Sequence, residues 1–297
     1  MKVPHGLDWW RRVPGGAAWL DSLPSAVEAC ADRWSLRVGA PFQDGHVSLV
    51  VPVERDDGSP AVLKINFPQE ESAREPDALR HWEGRGAVLL LEYDSDHRAL
   101  LVERCDPGSQ LWSVEDDEPA MLVAATVLRR LWRRPPPYDH DFVPLADAAW
   151  RWAVELHLAW EALGRPFEQR LLDEAVSACR ELGPNQGEPA VLHQDFHGGN
   201  VLRAAREPWL AIDPKPLVGE REFDAASLLR DRRWLLGQPD DDQRIARRLD
   251  LLADELALDR ERMRRWGIAH ALAWGVDGAQ VESDMIECAR ILDRIRP

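Results

Sequence analysis

At 297 residues, with 45% apolar and 30% charged residues, the chain is long for one hydrophobic core and ordinary for a globular protein of two lobes. The formal net charge of −15, from 52 acids against 37 bases, leaves no basic face of the kind a duplex nucleic-acid binder needs to displace counterions. No stretch approaches the ~20 apolar residues of a membrane span, residues 1–6 carry no apolar export signal, and Cys30, Cys105, Cys179 and Cys288 are scattered without metal-ligand spacing. The expectation is therefore a cytoplasmic protein with reduced thiols and no nucleic-acid or membrane partner.

In chain order, the spacing of apolar residues predicts a helix over 17–33 and strands over 34–38 and 47–53. The turn Asp56-Asp57-Gly58-Ser59 leads to a strand over 61–67, then a helix over 70–82 and strands over 87–92 and 99–103. Past Asp106-Pro107-Gly108 the texture becomes helical. Helices are predicted over 118–133, stopped by Pro135-Pro136-Pro137, and over 145–163 and 167–182. Four more are predicted over 223–236, 241–256, 260–274 and 279–295. The expected fold class is α+β: a small antiparallel sheet lobe, residues 1–104, followed by a larger helical lobe, residues 105–297. The fourteen tryptophans read as packing residues, with none assigned to a substrate.

The chemistry concentrates in residues 191–213. Val191-Leu192 leads into a polar loop from His193 to Asn200. A short strand over 201–203, a turn at Arg206-Glu207-Pro208 and a strand over 209–212 then deliver Asp213. Two carboxylates and a carboxamide thus stand at the ends of a tight hairpin, where they can converge. Phosphoryl transfer needs such a set: one carboxylate for the attacking hydroxyl, and an Asn with a second carboxylate for Mg²⁺, a hard ion that prefers oxygen. His193, Asp195 and His197 also raise a transition-metal reading, since imidazole and carboxylate suit Zn²⁺. Against it, their alternating spacing is unlike helical i, i+4 ligation, and no third His or Cys lies nearby. Of the 37 basic residues only Lys2, Lys64 and Lys215 are lysine, so a Lys inside the strand over 61–67 asks what a compact ammonium does there that a guanidinium would not.

The pattern His193-x-Asp195-x-His197-x-x-Asn200, followed thirteen residues later by Asp213, resembles the aminoglycoside phosphotransferase family, whose fold is similar to that of protein kinases. The continuation Ile212-Asp213-Pro214-Lys215, Gly219 and Phe223-Asp224 resembles its streptomycin/hydroxyurea kinase branch. The resemblance implies a two-lobed protein-kinase-like fold with ATP and Mg²⁺ as cofactors. It makes Asp195 the catalytic base, Asn200 and Asp213 the metal ligands, and His193 and His197 the frame of the loop. Asp224 becomes a support for the loop as well as a helix N-terminal acid. Lys64 would contact the nucleotide phosphates, with Glu75 its partner and Glu71 the second choice. Backbone groups at Val102, Glu103 and Cys105 would form the hinge that binds adenine.

Two departures stand out. There is no GxGxxG loop, and Asp44-Gly45-His46-Val47-Ser48 occupies the place of a phosphate-covering hairpin. Asp213 is followed by Pro-Lys instead of Phe-Gly, which argues against a protein kinase with a switchable activation loop. Lys215 is left open between a phosphate contact and a surface position. The expected reaction moves the γ-phosphate of ATP to a hydroxyl of a small cationic substrate, a streptomycin-like aminoglycoside, or to hydroxyurea. Glu220, Glu222, Asp277, Glu282 and Asp284 are the candidate acids for the substrate's cations. The alternatives are a kinase of an amino alcohol or sugar, and a silent nucleotide-binding module.

Overall fold

The computed structural model describes residues 1–43, 45, 47–276 and 280–295. Asp44, His46 and Asp277 therefore lie outside the described residues. Two compact units make up the chain: Met1–Gly108 with Ala204–Pro208, and Ser109–Arg203 with Trp209–Pro297.

In the first unit a 3₁₀ turn, His5–Arg12, precedes helix α1 (Gly16–Trp34). Strands β1 (Arg37–Val38), β2 (Ser48–Glu54) and β3 (Pro60–Asn66) lead to α2 (Glu75–Trp82), and β4 (Leu90–Asp94) and β5 (Ala99–Glu103) complete it. The sheet has the order β1-β2-β3-β5-β4, with every neighbour antiparallel. The strand period of two puts Leu49, Val51 and Val53 of β2 and Ala61, Leu63 and Ile65 of β3 on one face. There they join Leu20, Leu23 and Val27 of α1 in a single apolar cluster. Lys64, between Leu63 and Ile65, therefore faces the other way. The strand expected over 34–38 shrinks to two residues because α1 runs on to Trp34 and ends at Ser35, whose φ is +53°. The helix expected from residue 70 starts at Glu75, with Pro76 in its first turn, where the missing N–H has no partner to lose. The turn Ala204–Pro208 is tied into this unit by Arg206, which donates to the Glu103 carboxylate and to the carbonyls of Gly84 and Ala87.

The second unit is mainly helical. Its elements are α3 (Asp117–Leu131), β6 (Val143–Pro144), α4 (Leu145–Ala162), α5 (Gln169–Leu182), β7 (Pro189–Leu192), β8 (Val201–Arg203) and β9 (Trp209–Ala211). Then follow β10 (Leu217–Glu220), α6 (Arg221–Ala226), α7 (Asp241–Leu256), α8 (Arg260–Gly275) and α9 (Ser283–Arg294). Helix α8 buries Met263, Trp266, Ile268, Ala269, Ala271 and Leu272, a distribution around the whole helix that marks a central position. Phe223 packs between Trp152 and Trp266 at ring-centroid distances of 5.5 and 5.2 Å. No helix among the described residues is long and apolar enough to cross a membrane. The four cysteines are free thiols.

Two sequence expectations are corrected here. Residues 223–236 do not form one helix: α6 stops at Ala226, Ser227–Arg230 tightens to 3₁₀, Arg232 takes φ +58°, and Arg233–Leu235 is another 3₁₀ turn. The competing demand is polar. Asp224, Ser227, Arg230 and Asp231 all bond to the loop after β7, while the chain leaves the α-helical path after Ala226. The second correction is Glu220, expected among the acids for a substrate. It ends β10, which pairs parallel with β6 and antiparallel with β7, and it is fully buried. Its carboxylate accepts from the Arg262 guanidinium at 2.6 Å, from the Gly187 amide at 3.0 Å and from the Trp266 indole. It holds the scaffold and is closed to substrate. Replacing Glu220 by Ala strands the buried Trp266 N–H and unpairs Arg262, so the expected loss is about 3–5 kcal/mol in urea unfolding. The folded fraction should keep its KM for an acceptor; a changed KM with unchanged stability would reverse this assignment.

Candidate active site

In the first unit the ammonium of Lys64 lies 2.7 Å from both carboxylate oxygens of Glu75. Glu75 also accepts from Asn66 Nδ2 at 2.7 Å, and Asn66 Oδ1 accepts from Ser48 Oγ at 2.7 Å. All four side chains are buried, which makes the pair a satisfied polar network instead of an isolated charge. Glu71 is exposed, so the acid that meets Lys64 is Glu75. Along the expected hinge, Val102 is buried and Cys105 half-buried, with burial pushing the Cys105 thiol up to about 12. The Glu103 amide donates to Leu89 O at 2.9 Å, and its carboxylate accepts from Arg206 and from the Leu89 amide. The Glu103 amide is thus committed inside the sheet unit.

In the second unit, β7 delivers the chain into the loop His193–Asn200, whose backbone is pinned by one buried carboxylate. Asp224 accepts from the amides of His193 at 3.0 Å and Gln194 at 2.8 Å, and from the Trp132 indole at 3.0 Å. Gln194 has φ +68° and Asp213 has φ +61°, conformations that cost of order 1–3 kcal/mol each for a non-glycine residue and persist only where surroundings impose them. The histidines are structural. His193 Nε2 lies 2.9 Å from Ile212 O, and His197 Nδ1 accepts from the Gly199 amide at 3.1 Å. Among the described residues the group with metal-sharing geometry is Cys30, Asp94 and His97, which excludes both loop histidines. The zinc reading of the loop falls with that.

The β8–β9 hairpin pairs Val201 with Ala211, and the Ile212 amide donates to Asn200 O at 2.9 Å. That register brings Asn200 and Asp213 to the same end of the hairpin. Asn200 Nδ2 donates to Asp195 O at 3.0 Å, which orients the amide and leaves Oδ1 as its acceptor atom. One carboxamide oxygen and one carboxylate, both partly accessible, fit a hard divalent ion that retains waters.

The Asp195 carboxylate is mostly buried and doubly countered. Arg230 donates to Oδ1 at 2.8 Å, and the Lys215 ammonium lies 3.6 Å from Oδ2. Burial alone pushes its carboxyl up; the Lys215 and Arg230 charges outweigh that and hold it well below the usual carboxylate range. Lys215 is thus no plain surface residue. Arg230 is itself held, since its Nε donates to His270 Nδ1 at 2.9 Å while His270 Nε2 faces Gln194 O at 3.1 Å. Burial pushes His270 well below its ordinary value, so the ring is neutral and can accept from Arg230.

Sequence reasoning missed Arg230, Asp231 and His270. Asp231 accepts from the Gly198 amide at 3.0 Å and from the Trp112 indole at 2.6 Å. No short motif marks these residues, and the helical periodicity around Arg230 pointed the wrong way. Among the other expected substrate acids, Glu282 and Asp284 flank Arg233 at 2.8 and 3.5 Å. Burial pushes the Glu222 carboxyl up.

Comparison with known proteins agrees with this geometry. A family model described as aminoglycoside/hydroxyurea antibiotic resistance kinase matches residues 33–283. A streptomycin 6-kinase of Streptomyces glaucescens is 42% identical over 276 residues, covering 91% of this chain and 88% of that protein. A hydroxyurea phosphotransferase of Kitasatospora aureofaciens is 39% identical over 289 residues, covering 95% and 82%. Among solved structures, an aminoglycoside phosphotransferase in complex with ADP and hygromycin B superposes with a TM-score of 0.62 at 16% identity, covering 90% of this chain and 97% of that one. A choline kinase from Streptococcus pneumoniae gives 0.61 at 12% identity with the same coverage. These two share the two-lobed, kinase-like α+β fold. With its loop, hairpin and Lys–Glu pair, the chain belongs to the aminoglycoside/hydroxyurea antibiotic resistance kinase family.

Proposed function

We propose that the chain is an ATP- and Mg²⁺-dependent kinase that phosphorylates a hydroxyl of a streptomycin-like aminoglycoside, with hydroxyurea as the second acceptor to test. The observation that carries the reading is Asp195, a carboxylate kept ionised by Lys215 and Arg230 at the head of the loop that ends in Asn200. The relatives named for streptomycin and hydroxyurea phosphorylation support the choice of acceptors.

Asp195 takes the acceptor hydroxyl as a hydrogen-bond donor and aims its oxygen at the γ-phosphorus of ATP. The new P–O bond forms on that oxygen, the bond from the γ-phosphorus to the bridging oxygen breaks, and ADP leaves with the electron pair. The hydroxyl proton passes to Asp195. A carboxylate held this far below neutrality is a poor proton sink early in the reaction, so its main contribution is orientation, with proton uptake late. That order suits a loose transition state in which attack lags behind departure of the leaving group. Lys64, fixed by Glu75, neutralises the nucleotide phosphates, and Val102 and Cys105 offer the backbone groups for adenine. Asn200 and Asp213 would hold Mg²⁺, which when bound neutralises the phosphate oxygens. Lys215 supplies positive charge beside the transferring group as well as beside Asp195.

An ADP-release assay with streptomycin, hydroxyurea, choline and sugars tests the reading; turnover confined to choline or a sugar would replace it. Asp195→Asn should lower kcat by about 10³-fold while nucleotide binding is retained, and full turnover in that variant would remove Asp195 from its role. The pH dependence follows from the depressed carboxyl. Its folded-state value lies below the unfolded value near 3.9, so its ion pairs stabilise the fold above that pH and lose their contribution as pH falls through the folded value. The kcat profile should accordingly show no acid limb from Asp195 between about pH 5 and 8, and a limb in that window lost in the Asn variant would contradict it.

A further inference from the structure

Trp112 is seated on the glycines of the catalytic loop in a way that packing alone does not require. A Cβ at Gly198 would stand 2.5 Å from Trp112 Cδ1, and one at Gly199 would stand 2.7 Å from Cη2, so the pair of glycines is what lets the indole lie flat on that backbone. Its N–H is anchored by the buried Asp231 at 2.6 Å, and the other oxygen of Asp231 accepts from Gly198. His197 lies parallel to the indole, with ring centroids 5.2 Å apart at 13°, and His197 Nε2 is 3.8 Å from Asp195 Oδ1. On its other side Trp112 meets the edge of Trp234 at 4.8 Å and 83°. Trp234 is 57% exposed; Tyr138 and Trp150 of the same unit are exposed as well, but Trp234 is the one in ring contact with Trp112. An aromatic step thus leads from Asp195 to the exposed Trp234 within one unit.

We infer that Trp234, braced on Trp112, forms the acceptor platform, and that its ligand is a polyhydroxylated ring bearing cationic amino or guanidino groups. Such a ring has an apolar C–H face that packs on an indole, and its cations are attracted to the π face. Hydroxyurea has neither a ring nor a cation and would leave the platform unused. The inference rests on the kinase reading and narrows it to the aminoglycoside.

The test compares wild type with Trp234→Ala and Trp234→Phe, with streptomycin as the probe, by steady-state kinetics and by calorimetric titration without acceptor turnover. The Ala variant should raise the streptomycin KM and dissociation constant about tenfold with kcat held within about twofold, and Phe should recover most of the loss. The KM for ATP should stay constant, because nothing ties Trp234 to the nucleotide. Unchanged streptomycin affinity in the Ala variant overturns the platform, as does a parallel rise in both KM values, which would mark a structural role. Wild type that turns over hydroxyurea but does not bind streptomycin overturns the platform while leaving the kinase reading standing. Tenfold weaker streptomycin binding in a protein that phosphorylates nothing upholds the platform and removes the kinase reading.

Discussion

The buried Asp224 carboxylate is the contact on which the reaction centre depends. The loop from His193 to Asn200 carries Gln194, and the hairpin after it delivers Asp213, in backbone conformations that a free chain would leave. Three N–H donors converge on Asp224 and hold the entry to that loop in place. The cost of burying a carboxylate is offset by donors that would otherwise themselves be buried without partners. Ser227 adds a contact to Phe196 O at 2.7 Å, and Asp231 holds the Gly198 amide, so one short segment fixes the loop at three successive points.

With the backbone held, the charges around Asp195 decide what the site can do. Two cations facing one carboxylate keep it ionised against strong desolvation, and the neutral His270 ring sets the orientation of one of them. In the proposed reaction the arrangement favours alignment of a hydroxyl over early removal of its proton. That is the division of labour expected where the phosphoryl group departs before the nucleophile has fully attacked. The Lys64–Glu75 pair follows the same logic in the first unit, where Asn66 and Ser48 complete its hydrogen bonds, so the ammonium is placed by a network instead of a single contact.

Substrate selection draws on different chemistry. Of the five acids expected to receive cationic groups, Glu220 is buried against Arg262 and Trp266, and Glu282 and Asp284 lie beside Arg233. The aromatic step of His197, Trp112 and Trp234 is the feature beside Asp195 whose shape distinguishes a cationic ring from a small amide.

What the sequence by itself determined are properties carried by local chemistry. Alternation in residues 47–67 set the sheet and put Lys64 opposite the apolar face, while the hairpin after Asn200 set the approach of Asp213. The loop by itself left phosphoryl transfer and a metal site open, and its resemblance, together with the hairpin and Asp213, to a kinase family named the reaction class. Tertiary structure alone decided the partners brought from far along the chain. Arg230, Asp231 and His270 act through contacts spanning 33 to 119 residues, and such contacts leave no periodicity or spacing to read. The same distance effect turned Glu220 from a candidate substrate acid into a buried brace, and Trp112 from a packing residue into the floor beside the catalytic loop. A carboxylate or an indole has no fixed role until its neighbours set its exposure and its hydrogen bonds, and only the folded chain supplies them.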